Sequence, residues 1–153
     1  MLYRTAEVHD FRAVQGLLHQ LNPDGGALST TSAQWALLLL HPGTSVWLAD
    51  NGEPVACMTL HILPNLTYAA APYALIENVV TREDHRGQGI GRELMRHVLD
   101  RADSAGCYKV MLLTGGERGA KAFYQACGFS ETLKTGMVMY RNHADAAKWQ
   151  MGG

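Results

Sequence analysis

Cysteine is scarce in this chain. Its 153 residues hold three, at positions 57, 107 and 127. The number is odd and the spacing wide, so no disulfide framework is expected, and the thiols read as reduced and buried in a cytoplasmic protein. An excess of one charge is also lacking, because 13 Lys and Arg stand against 14 Asp and Glu. The net charge of −1 gives no general attraction to nucleic acid or to an anionic membrane. No apolar run approaches a membrane span, and none carries signal-peptide flanks. Trp35 to Leu40 is the most apolar stretch, but it is short and stops at His41-Pro42-Gly43, so a buried helix is expected there. The seven histidines show no ligand spacing, and no metal is expected. Repeats, low-complexity tracts and internal linkers are missing too.

What the chain does have is material for a single core. With 47% hydrophobic residues it needs no staples. The organisation expected is one domain over residues 1–142 and a short tail over 143–153. Leu2 to Ala6 reads as a strand. Val8 to Leu21 carries Val8, Phe11, Val14, Leu17, Leu18 and Leu21 at helical spacing. Thr30 or Thr31 can cap a second helix running to Leu40. Ser45–Asp50 and Pro54–Leu63 read as strands around the Asn51-Gly52 turn. Tyr73–Thr81 is a strand with apolar residues for both faces, which suits a central position. Arg92–Ala105 is an amphipathic helix ended by Gly106. Tyr108–Leu113 and Gly136–Arg141 complete the strands. The order predicts an α/β (α+β) fold, a mixed sheet with helices packed on it.

Arg86-Gly87-Gln88-Gly89-Ile90-Gly91 lies between the strand and the amphipathic helix. A strand, a glycine-rich turn and a helix start form a phosphate-binding layout, because free N–H groups and the helix dipole meet there. Glycine removes the Cβ atoms that would hold a bulky anion away. A dinucleotide fingerprint counted from Gly87 requires a third glycine where Arg92 stands. A P-loop requires a Gly-Lys pair that does not follow. The pattern that fits is Arg-x-x-Gly-x-Gly preceded by Glu77-Asn78-Val79-Val80. A second block, Ala120-Lys121-Ala122-Phe123-Tyr124-Gln125-Ala126-Cys127-Gly128-Phe129, follows downstream.

With both blocks in this order, the chain resembles the GNAT superfamily of acetyl-CoA-dependent N-acetyltransferases, most closely its glucosamine-6-phosphate branch. The resemblance covers about half the chain, from Leu75 to about Arg141. It implies a single domain with a mixed, mostly antiparallel sheet, splayed at its central parallel strands and flanked by about four helices. It also implies acetyl-CoA as cosubstrate. The pyrophosphate would sit on the turn Arg86, Gly87, Gln88, Gly89, Ile90, Gly91 and Arg92, and the thioester arm in the splay.

Within that frame, Val79 and Val80 are expected to hold the pantetheine arm through their main chain, and a free N–H there is the candidate oxyanion donor. Arg86 suits a phosphate or the turn's own carbonyls. Arg92 opposes the helix dipole, which an anionic ligand explains and a solvated arginine explains equally. Tyr124 is the candidate general acid by resemblance; the alternative is a core tyrosine beside Phe123. Glu77 interrupts an apolar strand and is the candidate base; the alternative is a partnered carboxylate. Asn78 stands where the hexosamine branch has a second acid. Cys127 shares the helix face of Tyr124 and reads as a small buried hydrophobe.

The acceptor is expected to be a small primary amine, such as an amino sugar phosphate, attacking directly in a ternary complex. Aminoalkylphosphonates and other amines are alternatives, and a non-catalytic acyl-CoA sensor is a competing class. Arg118, Lys121 and Lys134 are candidate anion contacts. Acceptor choice is expected to lie in the loops Asn22–Ser32 and Pro64–Pro72. The apolar Tyr68–Tyr73 stretch is the candidate contact in a homodimer.

Overall fold

A computed structural model describes residues 1–115 and 120–139. Arg118, the end of the expected last strand at Tyr140–Arg141 and the 143–153 tail lie outside the described residues.

The elements run β1 (Leu2–Thr5), α1 (Phe11–Leu21), α2 (Ser32–Leu40), β2 (Thr44–Asp50), β3 (Pro54–Leu63), β4 (Tyr73–Thr81), α3 (Ile90–Ser104), β5 (Val110–Met111) and α4 (Ala120–Ala126). The sheet order is β1-β2-β3-β4-β5. The first three pairings are antiparallel and the last is parallel. The connection that makes the last pair parallel is α3, as a crossover helix must be.

Local chemistry explains the element ends. Thr31 caps α2: its hydroxyl accepts the Gln34 N–H at 3.3 Å, and the Gln34 side chain accepts the Thr31 N–H at 2.8 Å. The chain enters α1 through a short 3-10 turn, Val8–Asp10, rather than as one helix from Val8. Helix α3 begins at Ile90, two residues before the expected Arg92 start, because Gly89 with φ 79° serves as its cap.

Two cores sandwich the sheet. Ala74, Ile76, Leu94, Met95 and Val98 form one with α3 and α4. Val14, Leu17, Trp35, Val46, Leu48, Cys57 and Val80 form the other with α1 and α2. Strand β3 is the most completely buried, from Val55 to Leu60. Glycine at 91 is a packing requirement: a Cβ there would lie 2.9 Å from the Thr81 hydroxyl and 3.5 Å from the Phe123 ring. That contact draws the α3 start, the β4 end and α4 together.

Two expectations are corrected. Helix α2 is not buried all round. Trp35 is buried and donates its indole N–H toward the carbonyls of Glu7 and Val8, but Leu37 is 69% and Leu40 79% exposed. Trp35 anchors the helix and the half-buried Leu39 packs beside it, while Leu37, Leu38 and Leu40 face solvent. The expected last strand is also not formed over its described part: residues 136–139 pair with no described residue, and β5 is Val110–Met111, shorter than the expected Tyr108–Leu113.

The acidic carboxylates of Asp10 and Asp50 converge on Arg4. Asp10 takes both terminal nitrogens of the guanidinium, at 2.7 and 2.8 Å. Asp50 takes Nε and one terminal nitrogen, at 3.0 and 2.7 Å. Asp10 also accepts the Glu7 N–H at 2.7 Å. The cluster ties β1 to the start of α1 and to the end of β2.

Candidate functional site

The glycine turn leaves its donors unused. Among the described residues, no main-chain or side-chain acceptor meets the N–H of any residue from Gly87 through Arg92; the first bonded amide is Glu93, which donates to the Gly89 carbonyl. Helix starts always leave donors, but here the run extends back through the turn that precedes the helix. Gly87 and Gly89 adopt φ of 74° and 79°, and a Cβ at either would point into open space. Positive φ with open space beyond is a geometry in which main-chain amides can face an anion. Arg86 is not free to join them through Nε, which donates to the Thr81 carbonyl at 3.1 Å. Arg92 is exposed and has no carboxylate partner among the described residues.

Strand β4 leads to the turn, and its neighbour leaves it early. The parallel pairing covers only Ala74↔Val110 and Leu75↔Met111. Beyond Leu75, β4 continues to Thr81 with no partner on that side among the described residues, so the pairing of the two strands ends there. On its other side β4 carries a bulge. Cys57 pairs with Val80 and Thr59 with Glu77, so Asn78 and Val79 together face Met58. Asn78 takes a left-handed φ of 56°. The bulge reverses the face that each later residue presents. Ile76 lies in the α3 core, and beyond the bulge Val79 packs there as well, while Val80 enters the α1 core.

Tyr124 packs against the α3 core and meets Phe123 and Phe129 edge-on, with centroids 5.1 and 6.1 Å away. Burial first, and then the charge of Glu77, hold its phenol above the ordinary value. It therefore stays protonated at neutral pH. Glu77 is half-buried, and strand alternation places it on the face opposite Ile76. The two candidate catalytic groups thus border the strand opening from opposite faces of the sheet. Cys127 is partly buried, with its thiol raised chiefly by burial, and lies in a second cleft of about 600 Å³ beside Gly89, Arg92 and Arg96.

A cavity of about 390 Å³ runs along β5, between it and α4. Tyr124, Lys109, Lys121 and Lys134 line it, together with Glu131. Lys121 already pairs with Glu131 at 2.6 Å. Lys109 lies 5.3 Å from the ring centres of both Tyr73 and Tyr108. Two cations therefore remain without a carboxylate among the described residues. Lys109 carries no signal in the sequence, because the tyrosine that flanks it from β4 meets it only through the short parallel pairing.

Of the two loops expected to govern acceptor choice, one is pinned. The buried Gln15 amide reaches the carbonyls of Ala27, Leu28 and Thr30 at 3.1–3.2 Å. In the other, Tyr68 stacks on Tyr108 of its own chain with centroids 4.2 Å apart, and Leu66 is 96% exposed.

The Acetyltransferase (GNAT) family pattern matches residues 14–129, the stretch that builds both sheet faces, the turn and Tyr124. The chain belongs to this family. Among solved structures, GNAT architecture recurs in a putative acetyltransferase from Agrobacterium tumefaciens str. C58, 46% identical with a TM-score of 0.87, over 92% of this chain and 100% of that one. Glucosamine-6-phosphate N-acetyltransferase from Arabidopsis thaliana superposes with a TM-score of 0.76 at 25% identity, over 92% of this chain and 96% of that one. Among curated proteins, the chain is 33% identical over 79 residues to the glucosamine 6-phosphate N-acetyltransferase of Trypanosoma brucei brucei, covering 52% of each. The match thus spans about half the length of that relative, and 36% of the Arabidopsis thaliana one, at 40% identity over 55 residues.

Proposed function

We propose that this GNAT protein is an N-acetyltransferase that moves the acetyl group of acetyl-CoA to a small primary amine bearing an anionic group. The observation that carries the reading is the run of unused amides from Gly87 through Arg92, at the carboxyl end of a strand whose parallel pairing ends at Leu75 among the described residues. Such a run suits a diphosphate, and the gap beside it suits an extended thioester arm held by the main chain of Val79 and Val80. The family's described members act as the precedent for that cosubstrate.

The roles follow from placement. The bound amine loses a proton to the Glu77 carboxylate, directly or through water. Its lone pair attacks the thioester carbon, and a main-chain N–H at the β4 bulge stabilises the oxyanion. The C–S bond breaks, the thiolate takes the Tyr124 proton, and the proton that leaves the new amide nitrogen returns to the phenolate through solvent. No residue is acylated, so donor and acceptor meet in one ternary complex.

The cavity along β5 supports an anionic acceptor. It carries the cations Lys109 and Lys134 beside a lysine–glutamate pair whose charges cancel. Substituting Lys109→Met is expected to raise the KM for a phosphorylated amine about tenfold, the loss of one charge-assisted bond, while acetyl-CoA affinity holds. Steady-state kinetics checks this. Acetyl-CoA thiol release, screened over amino sugars, amino sugar phosphates, aminophosphonates, amino acids, polyamines and peptides, tests the whole reading. Turnover confined to polyamines or peptides would count against the anionic acceptor.

A further inference from the structure

The bulge in β4 is fastened from the neighbouring strand at two points. Thr59 is 5% exposed, within the stretch of β3 that is buried from Val55 to Leu60. Its hydroxyl accepts the Asn78 side-chain N–H at 3.3 Å. On the far side of Met58, the Cys57 Sγ lies 3.9 Å from the Asn78 carbonyl, at the reach of a weak S–H donor. Burial pushes that thiol up to about 12, so it remains a donor throughout the physiological range. The two β3 residues that flank the bulge thus hold the one residue of β4 whose φ is left-handed.

Asparagine reaches that region more readily than most residues but does not prefer it, so the conformation is set by what surrounds it. The consequence extends along the strand. The turn at Asn78 decides which way the main chain of Val79 and Val80 faces in the gap beside β5. We propose that Thr59 is a positioning residue, acting through Asn78 to fix the bulge and so to aim the main-chain groups that hold the thioester arm. The proposal rests on the acetyltransferase reading for its catalytic consequence, but not for its structural one.

The Thr59→Val variant keeps the shape and removes the hydroxyl. Asn78→Ala removes the other partner from a solvent-exposed position and serves if the buried variant folds poorly. Each is expected to lower kcat roughly tenfold, because small misplacement of a reacting group is costly. KM for acetyl-CoA rises alongside, because the same main-chain groups hold the arm, and the melting temperature of Thr59→Val falls by no more than the few degrees that one hydrogen bond is worth. The double variant loses no more kcat than Asn78→Ala alone, because without the Asn78 amide the Thr59 hydroxyl has no contact left to lose. Thr59→Ser restores kcat. Losses that multiply in the double variant, or a serine variant no better than the valine one, would overturn the proposal. A second readout needs no turnover: hydrogen exchange of the Val79 and Val80 amides in the free protein. It is expected to quicken roughly tenfold in Thr59→Val and to be unchanged in Thr59→Ser. Unchanged exchange in the valine variant overturns the latch. Absence of any turnover in the unsubstituted protein sinks the acetyltransferase reading instead, and the exchange comparison still decides whether Thr59 holds the bulge.

Discussion

Tyr124→Phe is expected to lower kcat by on the order of a hundredfold or more, the usual worth of a positioned proton donor, while acetyl-CoA affinity is kept. The ring is half-buried between Phe123 and Phe129, so phenylalanine fills the same space and the packing survives. What disappears is one hydroxyl. Burial and the nearby Glu77 charge keep that hydroxyl protonated at neutral pH, which is the state required to meet a departing thiolate. Rapid-mix kinetics with acetyl-CoA and an active amine, beside calorimetry of acetyl-CoA alone, separates the two effects. A loss of affinity without a loss of kcat would make Tyr124 a wall of the donor site rather than its acid. A non-catalytic acyl-CoA sensor would have no turnover to lose.

The second large effect is on stability. Asp10→Ala is expected to cost about 3 kcal/mol, in the range for breaking a buried ion pair from one side. Asp10 is 4% exposed, and its loss removes two of the five hydrogen bonds that the Arg4 guanidinium makes, leaving those to Asp50 and the Thr5 carbonyl. The pair also sets an acid limit. The Arg4 guanidinium holds the carboxyls of Asp10 and Asp50 below the usual carboxylate range. A carboxyl so lowered stabilises the fold at every pH above its unfolded value, about 3.9. That contribution fades as pH falls below that value and through the lowered folded one. Urea unfolding of the parent protein should therefore show stability falling with acid below about pH 4, with a shallower slope in Asp10→Asn.

The sequence carried much of this fold because its local signals agree with one another. Pro54–Leu63 and Tyr73–Thr81 end where β3 and β4 end, since proline, asparagine-glycine and loop residues bound them on both sides. The splay was expected from resemblance, and the sheet supplies it as a parallel pairing only two residues long. The Asn78 bulge could not be read, because Glu77-Asn78-Val79-Val80 alternates as acceptably in a straight strand as in a bulged one. Its cause lies in Thr59 and Cys57, nineteen and twenty-one residues away. Leu37 and Leu40 misled because hydropathy reports what a residue favours and not what the chain brings to cover it. The Arg4 cluster was silent for a similar reason, since its members lie six and forty-six positions apart. For the candidate site, Glu77, Tyr124 and the glycine turn carried motif signals. Lys109 was not, since the Tyr73 ring beside it belongs to a strand adjacent only in space.

Titration calorimetry of the purified protein with acetyl-CoA, ATP and NAD tests the role of the amides from Gly87 through Arg92 most directly. The expected result is one site for acetyl-CoA, no heat from either nucleotide, and loss of the site in Gly89→Val, whose Cβ would project into the open space beside the turn. No association with acetyl-CoA while ATP or NAD binds would contradict the account.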